Sequence, residues 1–242
     1  MKITSISQVY VSPIKKQTTE SQKTTQNINT PSFKNWYTSY DVEKYREAFT
    51  NTLKERKEEI FNHLDSLTTT TMENGRKGNV TDILKSFFDD TRDFVEIKGL
   101  MHKTPRENIQ SIVENGFDFS KINTTEYGPG MYFSGNETEL LIYNGEKLGV
   151  DYEGRTSCGI KIKEYNNLKS GLINEVRNYL KLGFSSIENV MAEAEAISTT
   201  IVNDYCRQKI VNELGIDGAG IPYGNSYFEI FNPDSIKNIY RK

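Results

Sequence analysis

The chain has 242 residues, 36% hydrophobic and 26% charged, with a formal net charge of −3 at pH 7. That length suffices for one large domain or a small domain with an appendage. The acidic balance argues against a strong phosphate-backbone footprint, so nucleic acid is not the expected substrate. The two cysteines, Cys158 and Cys206, and the two histidines, His63 and His102, have no metal-ligand spacing, so neither a metal nor a disulfide framework is expected and a reducing environment is the simpler reading. No run approaches the ~20 apolar residues of a membrane span, and the N-terminus lacks the apolar core of a Sec signal peptide.

Residues 1–33 are rich in Ser, Thr, Gln, Asn and Lys, too polar to offset their ordering entropy, so an unordered tail is expected. Residues 34–92 read as a helical region. Val42, Tyr45, Phe49, Leu53, Ile60, Leu64 and Leu67 recur near the helical period and predict a helix over 36–67, capped by Asp41 or Ser39. His63 falls inside it and reads as a packing or surface histidine. The run of threonines from Thr68 and Gly75 break the pattern, and a second helix over 80–89 carries Ile83, Leu84, Phe87 and Phe88.

The core spans residues 93–242. Residues 94–101 read as a strand closed by His102, Lys103 and Thr104. Thr104, Pro105 and Glu107 form a capping-box pattern ahead of a helix that buries Ile109, Ile112 and Val113 and stops at Gly116. Gly128-Pro129-Gly130 permits a close backbone approach before a strand of Met131, Tyr132, Phe133 and Ser134. A helix from Glu137 carries Leu140 and Tyr143.

Residues 157–163 alternate apolar and polar, as a one-sided strand does. Helices are expected over 172–182 and 186–214, the second stopped by Gly215. Glu193 and Glu195 on it do not share a helix face and read as solvated. Residues 216–221 and 226–231 read as a strand pair joined by Pro222, Tyr223, Gly224 and Asn225.

His102 at a strand end, the Gly-x-Gly-x-Tyr-Phe stretch ending at Phe133, Tyr143 eleven residues after Tyr132 (143 − 132), and the ending Phe231-Asn232-Pro233 together resemble the catalytic core of ADP-ribosyltransferases of the diphtheria-toxin and poly(ADP-ribose) polymerase group. The resemblance implies an α+β fold of split mixed sheets with flanking helices behind an N-terminal helical region. It implies NAD as substrate, without a metal. Tyr132 and Tyr143 would sandwich the nicotinamide, giving stacking and excluding water. His102 would hydrogen-bond the adenine-side ribose, the backbone at Lys103 would bind the carboxamide, and Thr104, Gly130 and Phe133 would complete the dinucleotide site. A glutamate on the last strands would stabilise the oxocarbenium-like state.

The chain departs from the pattern in three places. Lys103 stands where glycine is common, and Leu140 where a carboxamide-binding serine is common. Alignment on Phe231-Asn232-Pro233 puts Tyr227 or Ser226 at the glutamate position, whereas Glu229 is the carboxylate on that strand and shares Tyr227's face by alternation. A bulge or register shift would bring Glu229 in, and it is the expected catalytic carboxylate, with His102 and Tyr132 beside it.

The polar N-terminal segment is similar in composition to the export signal of a bacterial type III secreted effector. A monomeric protein mono-ADP-ribosyltransferase, released into a host cytosol and acting on a host protein, is the implied function, with ubiquitin or a small GTPase as acceptor by analogy. The alternatives are an inactive binding module of the same fold and a nucleic-acid-modifying relative.

Overall fold

The computed structural model describes residues 10–13, 51, 55–70, 77–122, 128–137, 140, 145–180, 188–220 and 227–242. In chain order these form β1 (Tyr10–Pro13), α1 (Lys57–Asp65), β2 (Leu67–Thr70), β3 (Lys77–Gly78), α2 (Val80–Lys85), β4 (Thr91–Thr104) and α3 (Ile109–Asn115). Then come β5 (Met131–Ser134), β6 (Glu146–Ser157), α4 (Ile162–Tyr179), α5 (Glu188–Asn212), β7 (Gly218–Gly220), β8 (Tyr227–Ile230) and β9 (Ile236–Arg241). The class is α+β.

A small sheet pairs β1 with β2 and β2 with β3. Tyr10–Pro13, inside the stretch expected to stay unordered, form one of its strands. Leu67, expected in a long helix, opens β2, because three β-branched threonines favour an extended chain. The earlier part of that expected helix lies outside the described residues.

The main sheet runs β4-β5-β8-β7-β6, and an antiparallel β4–β6 ladder closes it into a five-stranded barrel. The resemblance calls for split sheets. Here β6 is long enough to pair with β4 along one edge and with β9 and β7 in succession along the other, and this joins the two ends. Alternation sorts the side chains. Leu100, Phe133, Leu148, Val150, Tyr152, Phe228 and Ile230 fill the inside, plugged by Ile109, Phe117 and Phe119. Ala219 points the other way, into a helical layer built from α1, α2, α4 and α5.

Several expected boundaries move. Residues 157–163 are not a strand: β6 stops at Ser157, Ile160 makes an isolated bridge to Phe88, and α4 starts at Ile162. The capping box does not form. Thr104 ends β4, Glu107 sits in a 3-10 turn (Arg106–Asn108), and α3 starts at Ile109 without a side-chain cap. Gly215 behaves as expected: at φ 64 it ends the α5 region, and the Ile216 N–H reaches back to the Ile210 carbonyl. His63 packs, its ring stacked on Tyr179 at 4.1 Å.

Two register shifts bend β4, one between Arg92 and Val95 and one between Ile97 and Leu100. Each contains one left-handed residue, Phe94 at φ 54 and Gly99 at φ 73. Glycine takes that conformation without penalty, whereas a bulky side chain there costs about 1–2 kcal/mol. Phe94 recovers little by packing, since it is 84% exposed. Phe94→Gly is therefore expected to stabilise the fold by about 1 kcal/mol, read as a rise in the urea midpoint; a lower midpoint would show that the ring makes contacts the native state depends on.

Candidate functional site

The strands carrying His102, Tyr132 and Glu229 are neighbours, although the three residues come from distant parts of the chain. β5 lies between β4 and β8. It meets β4 at a single pair, Met101 with Ser134, and meets β8 along four, including Tyr132 with Glu229. A ladder one pair long lets β4 and β5 part at His102 and Lys103, and the His102 imidazole spans the parting. Its Nδ1 lies 2.8 Å from the Tyr132 carbonyl oxygen. A carbonyl only accepts, so Nδ1 carries the proton, and Nε2 of the neutral ring is an acceptor. Burial lowers the His102 pKa, which favours that neutral ring.

The two rings point to opposite sides of the sheet. His102 packs against Phe117 and Phe133, with centroids 5.2 Å and 5.5 Å away. Tyr132 alternates to the other face and joins Glu229. The Tyr132 hydroxyl accepts the Gly128 N–H at 2.6 Å. The Glu229 carboxyl is 0% exposed. It accepts the Gly130 N–H through Oε1, and among the described residues Oε2 has no hydrogen-bond partner.

The two glycines of the turn are required by this packing. A Cβ on Gly128 would collide with both carboxyl oxygens, and one on Gly130 with the Ile230 carbonyl oxygen and with Glu229 Cγ at 2.7 Å. The sequence legibly marks a close approach at Gly128-Pro129-Gly130. What approaches is the side chain of Glu229.

Tyr132, Gly130 and Glu229 are thus assembled on one face, and His102 and Phe133 on the other, linked through the Tyr132 main chain. Lys103 is half-buried and pairs with Lys147 on β6. Thr104 is buried and pairs with Glu146. Leu140 is buried. Tyr143 lies outside the described residues. Tyr227 is half-buried opposite Ser134, on Glu229's face and two residues nearer the start of β8.

Four residues of this neighbourhood have no sequence motif: Lys169 and Tyr165 on α4, and Asn203 and Cys206 on α5. All are buried, and the Tyr165 hydroxyl donates to Asn203 Oδ1 across the two helices. The spacings 165/169 and 199/203/206, each a helical repeat of polar or small residues, are the signal that could have marked them. Among the described residues no group of His, Cys, Asp and Glu could hold a metal, and no helix is long and apolar enough to cross a membrane. No protein-family model, no curated protein and no solved structure matches the chain.

Burial pushes the Glu229 carboxyl up to about 8, against the opposing pull of the Gly130 amide, the Tyr132 hydroxyl and Lys169. The unfolded carboxyl releases its proton near 4.5. Between these values the folded state binds more protons than the unfolded one, so stability falls as pH rises through that window. The stability gap between Glu229→Gln and wild type should therefore shift in favour of the variant from pH 5 to pH 8, by on the order of a few kcal/mol. Thermal melts at both pH values check this; a gap that does not change with pH would show that the carboxyl is solvated.

Proposed function

We propose that the chain is an NAD-dependent mono-ADP-ribosyltransferase. It breaks the bond between nicotinamide and its ribose and passes ADP-ribose to a side chain of a host protein after delivery from a bacterium. The observation that supports the reading is the strand order β4-β5-β8, which brings the His102, Gly130–Phe133 and Glu229 segments side by side. β5 carries Tyr132 on Glu229's face, next to the place where β4 and β5 part at Lys103. His102 faces the barrel interior, opposite to the Tyr132 ring, and supports the site through its bond to the Tyr132 carbonyl. The leaving nicotinamide is already cationic, so no acid is needed to expel it, and a negative field near the ribose lowers the barrier.

Glu229 supplies that field from beneath. Sealed by Gly128 and Gly130, it acts through the low-dielectric interior and through the turn and phenol it holds. Its complete burial also favours a second reading, a non-catalytic module that retains the sheet and binds its ligand without turnover.

Nicotinamide release from NAD, with host lysate as acceptor, decides between the two. In the first reading the wild-type rate climbs with pH toward about 8 as Glu229 ionises. Glu229→Gln then loses that climb and falls by on the order of 100-fold at pH 8, and His102→Ala and Tyr132→Ala also slow turnover. No release above buffer by the wild type at any pH would leave the binding module.

A further inference from the structure

The segment that plugs the barrel lies between α3 and the glycine turn, and α5 holds it from the helical layer. Its centre is a 3-10 turn (Phe119–Lys121) capped by Asp118, whose Oδ1 accepts the Ser120 N–H at 3.0 Å. Asn203 and Arg207 stand one turn apart on α5. Each donates to a main-chain carbonyl of the plug: Arg207 Nη1 to Phe119 at 2.5 Å, and Asn203 Nδ2 to Ile122 at 3.4 Å. The Arg207 guanidinium also lies over the Phe119 ring, 5.5 Å from its centre. A second nitrogen, Nη2, pairs with Asp204, which takes Lys57 of α1 as well. Arg207 and Asp204 are only 9% and 7% exposed. Removing two charges from water is costly, and well-packed apolar side chains in their place are often as stable or more so. What the pair adds is direction. The planar fork of a guanidinium holds a carboxylate and a carbonyl at once in a fixed geometry, whereas an ammonium is a single point.

We propose that Arg207 is a positioning residue for the Tyr132 strand, acting through the plug and His102. Two residues before Phe119, the Phe117 ring meets the His102 imidazole edge-on at 5.2 Å and the Phe133 ring at 5.4 Å. His102 in turn donates from Nδ1 to the Tyr132 carbonyl at 2.8 Å. The Phe119 carbonyl and the Phe117 ring belong to one short stretch of main chain, so holding the first seats the second. Release of Phe119 lets Phe117 withdraw from His102, and an imidazole that loses this wall is freer to turn from the Tyr132 carbonyl. Asn203 holds the other end of the plug less firmly, since a neutral amide at 3.4 Å makes a longer and weaker bond than a charged donor at 2.5 Å.

The consequence for turnover rests on the transferase reading. The hold on His102 does not, and it can be read without NAD. The test compares the two histidine rings by NMR in the full chain near neutral pH, with His63, stacked on Tyr179, as the internal reference. In wild type the His102 Nδ1 proton, held by the Tyr132 carbonyl, is expected to exchange slowly with water. Arg207→Met keeps the stem and removes the fork. It should speed that exchange by about tenfold or more and shift the His102 ring signals, with those of His63 in place. Arg207→Lys keeps a charge beside Asp204 but lacks the second arm. It should act in the same direction, which keeps the test decisive if Arg207→Met does not fold. A wild-type proton that exchanges as fast as a free imidazole's, an unchanged His102 in either folded variant, or equal changes at both histidines overturns the proposal. In the transferase reading Arg207→Lys also slows nicotinamide release at saturating NAD, by on the order of 10-fold. A His102 response in a protein that releases no nicotinamide supports the positioning role and removes the transferase reading.

Discussion

A carboxyl group shut away from water under a glycine turn is the constraint on which the rest of the site depends. An isolated charge in a protein interior is costly, and a half-satisfied one persists only where its surroundings are fixed by other forces. Here they are fixed on three sides. β8 is held in register with β5 and β7, so Glu229 cannot leave its place opposite Tyr132 and Ala219 without breaking both ladders. Gly128 and Gly130 bring main chain against the carboxyl where any side chain would displace it. Behind it, α5 is buried on nearly all sides over residues 202–207, as a central helix is.

That arrangement depends in turn on the closure of the barrel. β6 pairs with β4 over most of its length and hands its other edge to β9 and then to β7. β7 in turn positions β8. The two bulges in β4 let a fourteen-residue strand curve around this closed sheet. Asp217 ties the closure at the far end: its carboxyl accepts the Arg155 N–H at 2.8 Å and Asn232 Nδ2 at 2.7 Å, and its carbonyl accepts the Phe231 N–H at 2.8 Å. Asn232 thus holds the end of β8 to the turn that precedes β7, which makes Phe231-Asn232-Pro233 a structural fastening whatever the chemistry nearby.

Much of this was legible in the sequence, and the limits of that legibility are physical. The close approach at Gly128–Gly130, the β5 and β8 strands and the stop at Gly215 are written in local residues, where glycine or a short apolar run has few alternatives. Strand β6 was not legible before Ser157, because Glu146, Lys147, Gly149, Asp151 and Gly154 carry little strand preference and only the long-range partners β4 and β9 make it extended. The alternation at 157–163 is real, but an isolated bridge between Ile160 and Phe88 and an early helix start use it instead. Thr104 matched a cap pattern and became the end of a strand, since its pairing with Glu146 outweighs a local bond. The faces of His102 and Tyr132 follow from a cross-strand register that no single segment contains. Lys169 lies before the helix expected over 172–182; α4 starts ten residues earlier, at Ile162, and buries it.

The link between the Tyr132 phenol and the Glu229 carboxyl is the centre of the whole arrangement, and a double-mutant cycle measures it directly. Unfolding free energies of wild type, Tyr132→Phe, Glu229→Gln and the double variant, taken at pH 9 where the carboxyl is ionised, give the coupling between the two side chains. Residues in one buried network are expected to couple by about 0.5–3 kcal/mol. Effects that simply add, within about 0.5 kcal/mol, would mean that the two groups do not meet and that the site is not built as described.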